Sequence, residues 1–206
     1  MQLRRADVLR GARDLLDAEG LDGLTMRKLG AVLNVQAGAL YWHFPGKQAL
    51  LGAIADDLLA GVAEPPPAGP WDQRLVTLAH KLRQALLGVR DGARLVAETF
   101  VTEPNTALAG RIGMRILMDA GLPAEQAAWT MFAVGHYVLG HTIEEQATRP
   151  GSGRDAELAA QAAGDADLRE LAAAISADPG RRFEFGLGLV LDGIRVRVGP
   201  RTPADS

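Results

Sequence analysis

Residues 64–70 read Glu-Pro-Pro-Pro-Ala-Gly-Pro, and no other stretch constrains the fold as strongly. Proline fixes φ and lacks an amide donor, so four prolines in seven residues exclude a helix or sheet interior and leave an extended joint. The joint divides the 206 residues into a shorter head and a longer body. On both sides apolar residues recur at helical spacing, and no segment alternates with the period of two that a strand needs. The expected fold is all-α.

In the head, Val8, Ala12, Leu15 and Leu16 stand at i, i+4, i+7 and i+8, which predicts an apolar helix face over 4–19, closed by Gly20. Thr25 suits the N-cap of a short helix over 26–33, to which Met26, Leu29, Ala31, Val32 and Leu33 give apolar surface. Asn34 tolerates the left-handed conformation, and Val35 is an apolar plug. A second short helix is expected over 36–43, stopped by Phe44-Pro45-Gly46, and Lys47 opens a longer one to residue 62. In the body, helices are expected over 71–88, 93–101, 106–120, 123–147, 167–177 and 181–197, with a small, polar loop over 149–166 and a frayed tail from about Val198. The division is thus a head at 1–47, a connecting helix at 48–62 and a body at 63–206.

Composition removes several functions. The chain has no cysteine, which excludes disulfide scaffolds, thiol catalysis and cysteine-ligated metals. The start is charged from Arg4 and lacks an apolar leader, and no run approaches the length of a spanning helix, so a cytoplasmic protein without membrane contact is expected. The net charge of −3 hides an asymmetry: residues 1–47 sum to +2 and the remainder to −5. A slightly basic head on an acidic body is what a phosphate-binding module joined to a second domain would show.

Two short helices joined by a tight turn and backed by a long one form a helix-turn-helix, whose second helix enters the DNA major groove. Gln36 can bond a base edge or a phosphate, Ala37, Gly38 and Ala39 allow close approach, and Tyr41, Trp42 and His43 add donors on apolar bodies. Arg27 offers a bidentate contact to guanine, and Lys47 stands at a helix start where it would hold a phosphate. Trp42 and Phe44 suit the head's core as well as they suit DNA.

The run LTMRKLGAVLNVQAGALYWHFPGKQALL, residues 24–51, resembles the DNA-binding segment of the TetR family of repressors, with its Leu-Tyr-Trp-His run and the following Lys-x-Ala-Leu-Leu closest to the tetracycline-repressor branch. Weaker likeness continues through 86–95, 133–146 and 183–194. The resemblance implies a DNA-binding head carrying Thr25, Arg27, Gln36, Ala37, Ala39, Tyr41, Trp42, His43 and Lys47. It also implies an all-α ligand-binding and dimerisation body, in which two late helices pack on their symmetry mates. A homodimer, a double-stranded operator and a small-molecule inducer are the partners expected, with no cofactor.

In the body, Trp129, Phe132, Ala133, His136 and Gly140 share one helical face, which fits either core or the wall of a ligand pocket. Leu82, Val96, Thr99, Phe100, Met114 and Met118 are the other candidate lining residues. By the resemblance, polar positions that hold magnesium-tetracycline read here Ala63, Leu78 and Val96, with Thr99 retained, so the expected inducer is more apolar. His136 and His141 lie five apart and diverge around a helix, so no metal site is expected with Glu144 and Glu145. Phe183, Leu187, Val190, Leu191 and Ile194, beside Gly186 and Gly188, read as a packed interface helix and a dimer seam. Two other readings stand beside the repressor. One is a helical carrier or enzyme using Glu98, His136, His141 and Glu144; the other is a regulator without an inducer.

Overall fold

The computed structural model describes residues 3–99, 103–148, 160–162 and 164–199, and among them every regular element is a helix. The head comprises α1 (Arg5–Gly23), α2 (Met26–Val32) and α3 (Ala37–Leu40), followed by α4 (Lys47–Leu58). The body comprises α5 (Trp71–Leu87), α6 (Gly92–Glu98), α7 (Pro104–Asp119), α8 (Ala124–Ala147), α9 (Ala166–Ile175) and α10 (Pro179–Val198). Most of the loop expected over 149–166, and the tail from residue 200, lie outside the described residues. No helix among the described residues is long and apolar enough to cross a membrane.

Several expected boundaries move. The second short helix covers Ala37–Leu40 and not 36–43, because residues 41–43 form a turn that swings Phe44 into the head's core. α4 ends at Leu58 and not at residue 62: Gly61 adopts φ 81°, and Leu59, Val62 and Ala63 bury beside the body instead of continuing the helix. α6 ends at Glu98, with Thr99 already extended, whereas the spacing had suggested residue 101.

Two cores meet along α6. The head's core gathers Leu16, Leu24, Leu29, Leu40, Phe44, Leu50 and Ile54, and it takes in Val89 and Leu95 from the body. The body's core is built from Leu75, Leu86, Ile116, Leu117, Val138, Phe183 and Leu187, on α5, α7, α8 and α10. Val96 packs against both cores.

Polar contacts reinforce the joint. The Leu21 amide donates to Asp91 Oδ2 at 2.9 Å, made possible by Gly20 at φ 76°, where a Cβ would crowd that carboxylate. Arg90 donates from its amide to Asp17 and from its guanidinium to the Ala18 carbonyl. Arg94 grips Asp22 with both Nη atoms at 2.9 Å. Separately, Asp56 on α4 accepts from the amides of Asn105 and Thr106 at 2.9 and 3.2 Å and from the Asn105 side chain, capping the first turn of α7.

Candidate nucleic-acid interface and ligand-lining helices

The turn between α2 and α3 follows from its residues. Thr25 caps α2 by accepting from the Lys28 amide at 3.2 Å, and Asn34 takes φ 54° to reverse the chain. The Val35 amide then returns to the Gly30 carbonyl at 2.9 Å. A Cβ on Gly30 would stand 3.0 Å from the Val35 carbonyl and 3.3 Å from the Ala37 nitrogen, so this glycine sets how closely α3 seats on α2. Leu40 and Phe44 anchor the seat from below.

Anchoring the inner side leaves the outer side to solvent. Phe44 is 2% exposed and Trp42 is 91% exposed, which resolves the two aromatics in opposite directions. Tyr41, Gln36, Arg27, Thr25 and Lys47 are exposed, and Ala37, Ala39 and His43 are half-buried. Gln36 is the N-cap of α3, yet its side chain makes no capping bond and stays available. Of the head's cations, Arg10, Arg13 and Lys28 are spent on Asp7, Asp57 and Glu19, and Arg5 lies over the Phe44 ring. Arg27 forms no ion pair among the described residues. Arg94, hydrogen-bonded to Asp22, holds that carboxyl below its ordinary value, and the charge of Lys47 adds to the effect.

In the body, Leu82, Val96, Met114 and Met118 are half-buried against the core. Thr99 is buried, with its hydroxyl donating to the Leu95 carbonyl at 2.9 Å. Phe100 lies outside the described residues. Trp129, Phe132 and His136 correct the expectation of a core stripe: all three are exposed. The buried face of α8 is carried by Ala127, Val134, Val138 and Thr142, about half a turn around the helix from them.

α10 needs the same correction. Phe183, Leu187, Leu191 and Ile194, expected as a dimer seam, are buried in the chain's own core. The exposed apolar groups of α10 are Phe185, Leu189 and Val196, which the sequence reading passed over. Their signal was available, since Phe185, Leu189 and Val196 recur at helical spacing on a second face of α10. Tyr137 locks α8 to α10: its hydroxyl donates to the Phe183 carbonyl at 2.8 Å, and its ring fills the space beside Gly186.

His141 ties α8 to the start of α10. Its Nε2 lies 3.0 Å from the Pro179 carbonyl, and burial pushes its pKa below the ordinary value, against the neighbouring Glu145 carboxylate. Glu145 is itself held by Arg83 through two bonds of 2.6 and 3.0 Å. Among the described residues no three His, Asp or Glu side chains gather as a metal site would require.

Comparison with known proteins agrees with this geometry. Residues 8–54 match the model of the bacterial regulatory proteins of the tetR family, and residues 64–198 match the tetracyclin repressor-like C-terminal domain. The chain belongs to the TetR family. Its head is therefore the DNA-binding part of a transcriptional repressor. The tetracycline repressor protein class A from transposon 1721 of Escherichia coli is 38% identical over 95% of this chain and 92% of that protein. A possible TetR family transcriptional regulator from Streptomyces coelicolor A3(2) superposes with a TM-score of 0.88 at 42% identity, covering 94% of this chain and all of the other. BioQ, solved with its double-stranded DNA operator, gives 0.73 at 32% identity over 94% of this chain and 98% of its own.

Proposed function

We propose that the chain acts as a homodimer on a near-palindromic operator and is released by an apolar small molecule. The exposed outer side of the α2–α3 unit carries the DNA reading: base- and phosphate-seeking groups stand free there while the inner side anchors the head. α3 enters the major groove, Arg27 and Gln36 address base edges, and Lys47, Tyr41 and His43 address phosphates. Thr25 divides its role between the α2 cap and the backbone. A likeness to a protein solved on operator DNA supports this.

The exposed apolar groups of α8 and α10, neighbours through Tyr137, form the face that a second copy covers. Two-fold symmetry then sets the half-sites roughly 34 Å apart, or a multiple of it. The inducer lies among Leu82, Val96, Thr99, Met114 and Met118, between α5, α6 and α7. Ala63 and Leu78 are buried and Val96 half-buried, and none offers an oxygen or nitrogen donor, which favours an apolar ligand over a hydrated cation complex. From there Val96 reaches the head's core, the Arg90–Arg94 segment grips α1, and Asp56 ties α7 to α4. Ligand that favours a different setting of these contacts changes the separation of the two heads.

The deciding experiment is selection from a randomised duplex pool at stated salt, followed by ligand titration on the enriched site. A two-fold symmetric sequence is expected. An asymmetric or unenriched pool would overturn the operator reading, and micromolar, metal-dependent binding of magnesium-tetracycline would overturn the apolar inducer.

A further inference from the structure

The surface that α3 presents is defined by what it lacks. Its residues are Ala37, Gly38, Ala39 and Leu40, so the helix has no side-chain nitrogen or oxygen. Leu40 is committed to the head's core. The outward position is therefore the bare, exposed Gly38, and the half-buried methyls of Ala37 and Ala39 flank it on either side of the helix.

Nothing in the fold demands that glycine. No atom lies within 4 Å of the place its Cβ would occupy, and its φ is not in the left-handed region. Gly30, by contrast, has backbone atoms at 3.0 and 3.3 Å and is required for packing. Gly38 instead keeps the helix surface low where it meets an external partner. The hydrogen-bonding groups stand to either side: Gln36 before the helix, Arg27 on α2, and Tyr41 and Trp42 beyond it.

In the major groove the thymine C5 methyl is the apolar feature; the other base-edge groups are donors and acceptors. A methyl surface pressed against it buries apolar area. Pressed against the guanine O6 or the cytosine amino group, the same surface strips water from a polar atom and gives it no partner. We propose that Ala37 and Ala39 select thymine by methyl-to-methyl contact, and that Gly38 permits the approach. The middle of each half-site is then read by shape and apolar contact, with hydrogen-bond reading confined to the positions facing Arg27 and Gln36. This rests on the reading of α3 as the helix that enters the groove.

The test uses the full-length chain and the duplex enriched from the random pool, remade with deoxyuridine in place of thymine one position at a time. Uracil keeps every hydrogen-bonding group and loses only the methyl. Two positions in each half-site should lose affinity, by about fourfold for each methyl removed, which is the effect of roughly one buried methylene group. At those positions cytosine should bind worse than thymine, and 5-methylcytosine should recover about fourfold over cytosine. In Ala39→Gly, checked for folding by its thermal transition, one of the two uracil effects should vanish. Equal affinity for thymine and uracil at every position overturns the proposal while leaving operator binding intact. Failure to enrich any sequence overturns the operator reading and this proposal with it.

Discussion

Among the described residues, aromatic side chains are exposed in two places, on the head at Tyr41 and Trp42 and on the body at Trp129, Phe132 and Phe185, and their neighbourhoods differ. On the head the neighbours are Arg27, Lys47, Gln36 and methyl-sized side chains. On the body they are Leu189, Val196 and small residues of α8 at helical spacing. Exposure alone does not name a partner. An aromatic among cations and small groups suits a polyanion with flat bases, whereas one in an apolar stripe suits another helical face.

The comparison breaks first at the body. Phe185→Glu with Leu189→Glu should convert a dimer into a monomer in sedimentation while the helical content stays unchanged, because both side chains are exposed. Operator affinity should then fall toward the non-specific level, about a thousandfold or more. A variant that remains dimeric would remove the reason for separating the two surfaces. On the head, two aromatics only two residues apart should behave oppositely. Phe44→Ala should cost about 3–5 kcal/mol of folding stability by opening the core. Trp42→Ala should change stability by less than about 0.5 kcal/mol and weaken operator binding. Denaturant titration beside a binding isotherm reads both.

The same contrast explains what the sequence disclosed. The recognition unit was legible because its signals are local: Thr25 caps α2 and Asn34 takes positive φ, whereas Phe44-Pro45 follows the turn over 41–43 and the second short helix already closes at Leu40. The body's faces were misassigned because α8 and α10 carry apolar residues on more than one side. Periodicity locates a stripe and is silent about which stripe the chain covers itself. Phe183 and Phe185 differ by two residues and go to opposite fates, decided by where Tyr137 docks. Nor could spacing reveal the Asp56–Asn105 cap or the Arg94–Asp22 fork, whose partners are far apart in sequence.

Within the head, exposed groups with different roles should separate in their effects. Arg27→Ala should cost about 1–3 kcal/mol of operator binding and relax the preference at one base pair. Lys47→Ala should weaken all duplexes alike and lower the salt slope by about one. If both variants show the same uniform loss, Arg27 is a phosphate contact, and base selection falls to Gln36 and α3.

The smallest effect belongs to the buried side of the body, where a titratable group ties α8 to the start of α10. His141 is pressed against Phe183 and Tyr137 and faces Glu145, Arg83 and Arg182, and burial outweighs the carboxylate to keep its pKa below 6.5. At pH 7.5 the imidazole is largely uncharged in both the folded and the unfolded chain. As pH falls below 6.5 the unfolded chain takes up a proton that the folded chain refuses, so stability should drop between pH 7.5 and 5.5. His141→Gln keeps a donor for the Pro179 carbonyl and removes the titration, so denaturant midpoints at the two pH values should move closer together than in the parent. An unchanged difference would assign the acid sensitivity to other groups and leave His141 as a hydrogen bond between α8 and the start of α10.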